Sequence, residues 1–181
     1  MIENWKVLNS KYIIKRPWAT LRVDQVQLPN GVVKDEYYIL EYPKWVNMVG
    51  FTEDNQILFA RQYRHGAEKI LLELPAGVVE DGEEPEIAAR REMMEETGYE
   101  FDEATEVSQL YANPATSGNI TYTYVLKGGR KVAEQSLDES EDIEVVLLSL
   151  EEAKDLLLKN GIGQALHSSA LFYALHHEGL L

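Results

Sequence analysis

The segment Gly77–Tyr99, GVVEDGEEPEIAARREMMEETGY, constrains the fold more than any other part of the chain. It reads as a loop running into one helix. Pro85 suits the first helical position, where its missing N–H would be unpaired anyway. Gly98 suits a helix C-terminus because it adopts the left-handed conformation without strain. At about 100° per residue, Ala88, Glu92, Glu95 and Glu96 share one arc. Ala89 with Met93, and Ile87 with Met94, fall on the other sides and are expected to pack. Glu92 and Glu96 are like charges one turn apart, which destabilises a helix. No lysine compensates them, and Arg90 and Arg91 are the nearby cations. Two readings follow: a solvated acidic face, or a site for a hard cation such as Mg²⁺ or Mn²⁺, which takes carboxylate oxygens and keeps several waters.

The spacing favours the second. Gly77, Glu83, Arg91-Glu92, Glu95-Glu96 and Gly98 stand at the intervals of the Nudix box, and the segment resembles that signature of the Nudix hydrolases. Tyr99 is the one departure, at a position more often aliphatic. The resemblance implies that Glu92, Glu95 and Glu96, with the backbone carbonyl of Ala76, hold the metal. Arg91 lies too far round the helix to be a ligand and is expected to orient a box carboxylate. Glu83 is expected to support the site.

The whole chain has 181 residues, 45% hydrophobic and 27% charged, enough for one domain with a substantial core and a small added lobe. Its net charge of −14 offers no basic patch for nucleic acid. Twelve acids fall in residues 80–106 and six in 134–144, so a phosphate-ester substrate would need cations between it and the protein. There are no cysteines, hence no disulfide or thiolate site, which fits a reducing compartment. No apolar run is long enough to span a membrane, and the N-terminus lacks a secretory core. A cytoplasmic location without membrane attachment is the expectation.

In chain order, residues 11–28 and 32–42 read as extended segments around Pro29-Asn30-Gly31, a hairpin signal. Residues 1–44 are expected to form a small N-terminal antiparallel sheet. Residues 45–51 and 56–63 read as strands around the turn at 52–55. Arg61 and Arg64 follow; each suits either ion pairing to surface carboxylates or a guanidinium grip on phosphate. Trp18 and Trp45 suit packing, or stacking on a nucleobase. Residues 106–112 and 119–127 read as strands, residues 128–142 as a flexible loop and 143–148 as a strand. Ser149 and Glu152 form a capping-box pattern for a helix reaching about residue 160, and a last helix covers about 164–177. His167, His176 and His177 match no metal-ligand pattern and read as surface or packing residues.

Strands and helices without regular alternation argue against a doubly wound parallel sheet. The expected class is mixed α/β (α+β). The resemblance covers residues 45–181 and implies the Nudix fold, a mixed sheet sandwiched between helices. Pro114, sixteen residues past Gly98, resembles the proline that marks the substrate loop in the ADP-ribose pyrophosphatase branch. A simple turn accounts for it equally well. In that branch a loop like 128–142 delivers an acid to the metals or the attacking water, which makes Glu139 and Glu141 the candidates, not separable here. The branch also implies a nucleotide-sugar substrate, ADP-ribose first, with a GDP- or UDP-sugar as alternative, and a homodimer built on the N-terminal lobe. A non-catalytic nucleotide sensor is disfavoured by the complete box, and a calcium-binding protein by the lack of EF-hand spacing.

Overall fold

The computed structural model describes all 181 residues, which fall into two compact units: Met1–Pro43 with Tyr111–Asn119, and Lys44–Leu110 with Ile120–Leu181.

The first unit is a three-stranded antiparallel sheet of β1 (Lys6–Arg16), β2 (Ala19–Gln27) and β3 (Val33–Glu41), in that order. The expected single run over 11–28 is two strands reversing at Pro17-Trp18, because proline presets the turn backbone. The second reversal lies at Pro29-Asn30-Gly31. There Gly31 has φ +85°, and the Asn30 side chain accepts from the Val32 N–H at 3.1 Å. Asp24 is buried and accepts from Ser10 Oγ at 2.6 Å and Arg22 Nε at 2.9 Å. Burial disfavours its charge, yet these bonds outweigh burial and hold its carboxyl below the usual range. Residues 111–119 join this unit because the Leu40 N–H donates to Thr116 O at 2.7 Å and Tyr37 Oη donates to Ala115 O at 2.6 Å. Nothing in the sequence signals that excursion.

The second unit holds β4 (Trp45–Thr52), β5 (Gln56–Arg64), β6 (Lys69–Glu73), β7 (Ala76–Val78), α1 (Pro85–Thr97), β8 (Tyr99–Glu100), β9 (Glu103–Tyr111), β10 (Ile120–Lys131), β11 (Ile143–Ser149), α2 (Leu150–Leu158) and α3 (Ala165–His177). The sheet runs β11-β5-β4-β10-β8; β6 pairs with β5, β7 with β4 and β9 with β10. It is mixed, because β4 and β10 are parallel. Alternation along the strands sends successive side chains to opposite faces. Val46, Met48, Leu58, Tyr122 and Tyr124 pack with Ala88, Ala89 and Met93 of α1. Val49, Ile57, Phe59 and Val125 pack with Ala153 of α2 and Ala170, Leu171 and Ala174 of α3. Helices therefore cover both faces.

Three short strands, β6, β7 and β8, have no counterpart in the sequence reading, since each is too brief to show a period. Residues 128–131 read as loop, but β10 continues through them. Gly128, at φ +74°, lies at a bulge, after which Arg130 and Lys131 pair with Glu100 and Tyr99. The capping box forms: the Ser149 N–H donates to Glu152 Oε2 at 2.8 Å, and the Glu152 N–H donates back to Ser149 Oγ at 3.3 Å. No helix is long and apolar enough to cross a membrane.

Candidate active site

The helix α1 begins at Pro85 and ends on Gly98, whose φ is +74° and whose N–H donates to Met94 O. A side chain at Gly98 would also strike Ala133 O at 2.1 Å. Within these bounds Glu92 and Glu96 of the acidic arc turn inward, while the Glu95 side chain stays 43% exposed. Glu96 is 3% exposed and Glu92 is half-buried, whereas Ile87, expected to pack, is 57% exposed. The small, fully buried Ala88 shares the arc, and the carboxylates follow it toward the sheet.

Arg91 organises this inward face. Its Nε and Nη2 donate to the two oxygens of Glu83 at 2.9 and 3.0 Å. Its Nη1 donates to Glu92 Oε1 at 2.9 Å and Glu95 Oε2 at 3.0 Å, and Nη2 also donates to Val78 O at 3.0 Å. The guanidinium thus spends its whole planar fork on three box carboxylates and the box backbone. Glu83, which also accepts from the Glu80 N–H, is held below the usual carboxylate range by Arg91, against its burial.

Gly77 is required by close approach. A Cβ there would lie 1.9 Å from the Glu92 carboxyl carbon. One residue earlier, the Ala76 N–H donates to Glu96 Oε2 at 3.0 Å. Burial pushes Glu96 up to about 8; the charges of Glu92 and Glu141 add to this, while the Ala76 N–H and Arg64 oppose it. Glu92 is also raised, first by burial, with Glu95 and Glu141 adding and Arg91 opposing. Two neighbouring covered carboxyls, Glu92 and Glu96, both raised by burial, make this cluster a functional-site candidate.

Comparison with known proteins gives this cluster its context. Residues 42–168 match the NUDIX domain. The chain belongs to the NUDIX family. Residues 5–40 of this Nudix hydrolase match the nucleoside diphosphate sugar hydrolase N-terminal domain. The chain is 33% identical to the methanol dehydrogenase activator of Bacillus methanolicus, over 97% of this chain and 95% of that one. It is 31% identical to the ADP-ribose pyrophosphatase of Bacillus subtilis over the same shares, 97% and 95%. The GDP-mannose pyrophosphatase of Citrobacter koseri is 27% identical over 93% of this chain and 95% of its own. A solved structure described as an ADP compounds hydrolase superposes with a TM-score of 0.86 over 100% of this chain and 99% of that one, at 24% identity, and shares the fold.

The donor set of the Nudix hydrolase fits a hard divalent cation. No three acidic or histidine side chains stand ready as a cage. Yet Arg91 engages a single oxygen each of Glu92 and Glu95, and the Ala76 N–H engages a single oxygen of Glu96. Each carboxylate keeps its second oxygen, and burying Glu92 and Glu96 as neighbouring anions, with Glu95 at the open edge, is unfavourable without a cation.

The strand β5 separates the two arginines. Arg64 falls on the face of Leu58, toward α1, and its Nε and Nη2 reach Glu73 Oε2 at 2.9 and 2.8 Å. Arg61 falls on the opposite face and pairs with the exposed Glu144 at 2.9 Å. Trp45 opens β4, paired between Val78 and Thr121. Trp18 sits 73% exposed at the β1–β2 turn of the first unit. Pro114, in that same unit, lies in a turn where Asn113 O accepts from the Thr116 and Ser117 N–H groups at 3.0 and 2.9 Å. Glu139 and Glu141 are both exposed, and the Glu141 charge is among the causes that raise Glu92 and Glu96.

Two residues with no sequence signal support the site. Glu73, 1% exposed, anchors Arg64. His167, also 1% exposed, accepts the Leu74 N–H on Nδ1 at 3.0 Å, tying α3 to the segment that leads into Ala76. Burial, aided by Arg64, pushes His167 down to about 3, so the ring is neutral in the fold. An unfolded histidine titrates near 6.5. The neutral-ring requirement therefore costs nothing above pH ~6.5, and stability falls by about 1.4 kcal/mol per pH unit between ~6.5 and ~3. Urea unfolding of wild type and His167→Gln across this range should show a steeper acid loss in wild type; parallel curves would refute it.

Proposed function

We propose that this Nudix hydrolase cleaves the pyrophosphate of a nucleoside diphosphate sugar, with ADP-ribose as the first substrate and Mg²⁺ or Mn²⁺ as cofactor. The observation that carries the proposal is the inward glutamate cluster, with Glu96 buried among like charges and Arg91 bonded to three box carboxylates. A divalent cation bound there supplies charge against the diphosphate and lowers the pKa of a water. Glu92, Glu95, Glu96 and the Ala76 carbonyl would hold it. Arg91 fixes the carboxylates, and Glu83 fixes Arg91. In the reaction the water oxygen adds to one phosphorus, the bridging P–O bond breaks, and ADP-ribose yields AMP and ribose 5-phosphate. Of the two loop acids, Glu141 is the better candidate for taking the proton from the water, because its charge reaches Glu92 and Glu96.

Arg64, anchored by Glu73 on the α1 side, is assigned to the substrate phosphate. Arg61, on the other face and paired with Glu144, is assigned to the same task. Base stacking is assigned to Trp18 or Trp45, and Pro114 to the substrate loop. The match of residues 5–40 to a nucleoside diphosphate sugar hydrolase domain and the ADP-ribose pyrophosphatase relative support this substrate class. The GDP-mannose pyrophosphatase relative supports a GDP-sugar as the second reading.

A homodimer through the N-terminal lobe, in the cytoplasm, completes the proposal. Every residue of β1 is exposed, Val7, Tyr12, Ile13 and Ile14 among them, more apolar surface than a lone sheet usually leaves to water. Sedimentation at assay concentration tests this, and a monomer rejects it.

The deciding experiment is turnover of ADP-ribose, GDP-mannose, a UDP-sugar and a dinucleoside polyphosphate with Mg²⁺ or Mn²⁺, with product analysis. The expected result is metal-dependent release of AMP from ADP-ribose, with kcat/KM at least about tenfold above the others. Faster cleavage of GDP-mannose would transfer the assignment to the second reading. No turnover of any of them would reject the proposal.

A further inference from the structure

One side chain, alongside backbone bonds, ties both ends of the acidic loop to the end of the box helix. A helix ends with carbonyls that have no intrahelical partner. In α1 the chain just after β10 supplies the missing donors. The Val132 and Ala133 N–H groups donate to Gly98 O at 2.9 and 3.2 Å, and the Ser136 N–H donates to Glu95 O at 2.9 Å. Between them Gln135 Nε2 donates to Glu96 O at 2.7 Å and to Ile143 O at 2.9 Å. Both partners are carbonyl oxygens, so the NH₂ end of the amide must face them, and both its hydrogens are used.

The topology of these two bonds matters. Glu96 belongs to the carboxylate cluster, and Ile143 is the first residue of β11. A single amide therefore joins the box helix, the start of the loop and the end of the loop. Residues 136–142 close into a short excursion whose two ends meet at the C-terminal turn of α1. Inside it the Glu141 N–H donates to Asp138 O at 2.9 Å, and the Asp138 N–H donates to Glu141 Oε2 at 3.0 Å, which fixes the turn bearing Glu141. The loop is thus tied at both ends and braced in the middle.

We propose that Gln135 is a positioning residue, which holds the loop acids in register with the box carboxylates through its paired bonds to Glu96 O and Ile143 O. The proposal rests on the reading that loop and box serve one site. It predicts that losing the donor loosens the loop while the box stays intact.

Gln135→Glu keeps the size but presents oxygens to both carbonyls, and Gln135→Met keeps the size without a polar head. In the full-length enzyme both should lower kcat by about tenfold or more, with KM within about threefold. Amide hydrogen exchange over 136–142, Ser136 above all, should speed up, while α1 and β11 keep their protection. The signature that a merely structural role would not give is coupling. Glu141→Gln should cost clearly less in a Gln135→Met background than in wild type, because an acid already out of register has little left to lose.

Unchanged exchange at Ser136, or additive effects of the two substitutions on kcat, would overturn the proposal. If wild type hydrolyses nothing in the panel while the loop still loosens in both variants, the clamp stands and the reading of the site falls.

Discussion

Replacing Arg91 by methionine is expected to lower turnover by orders of magnitude and to weaken the fold as well. The guanidinium satisfies Glu83, Glu92, Glu95 and Val78 O together, and Glu83 and Glu92 are largely covered. Without it Glu83 and Glu92, both largely covered, keep their charge uncompensated, and Glu95 loses its only tie at the edge of the group. Removing one partner of a covered ion pair leaves the other buried and unpaired, a loss of about 3 kcal/mol or more. The displaced carboxylates should lower kcat/KM by about a thousandfold. Arg91→Lys is expected to recover only a small part, because a point charge on a flexible stem cannot serve the forked geometry. Chemical denaturation together with steady-state kinetics checks both claims. An Arg91→Met enzyme with wild-type stability and activity would show that the network is ornamental.

Glu96→Gln is expected to separate activity from stability. The amide oxygen can still accept the Ala76 N–H, so the backbone contact survives. Burial, Glu92 and Glu141 already oppose the Glu96 charge in the metal-free protein, and the amide removes only the ability to ionise toward a cation. The variant should therefore unfold at the same temperature as the metal-free wild type or higher, while kcat drops by about 10²–10³. Added Mg²⁺ should raise the melting temperature of wild type by mass action, and that of the variant much less. Equal Mg²⁺ stabilisation of the two proteins would remove Glu96 from the ligand set, and near-normal turnover would remove it from the reaction.

Much of this site is legible in the amino-acid sequence. The intervals from Gly77 to Gly98 name the helix and its acids, and Pro85 and Gly98 mark its ends correctly. The capping box at Ser149 and the turn at Asn30-Gly31 are equally local and equally readable. What escapes are features whose cause lies far along the chain. Glu73 and His167 carry no spacing that marks them, since their partners are Arg64 and the Leu74 N–H, brought close by sheet pairing and by α3. Gln135 lies in a stretch that reads as flexible because it is polar and rich in charge. Its anchors are backbone carbonyls, which no sequence pattern announces. Arg61 and Arg64 look equivalent in type, and the two-residue period of β5 puts them on opposite faces, with α1 covering only one.

Covalent spacing and the pitch of a helix are enough to decide that Glu92, Glu95 and Glu96 share one side of one helix, because both act within a few residues. Whether that side meets solvent or the sheet is beyond them. Packing of Ala88, Ala89 and Met93 against β4, β5 and β10 turns the acids inward, and the close passage of Gly77 lets Glu92 follow. Burial depends on what the remainder of the chain places opposite, and only the tertiary structure supplies that.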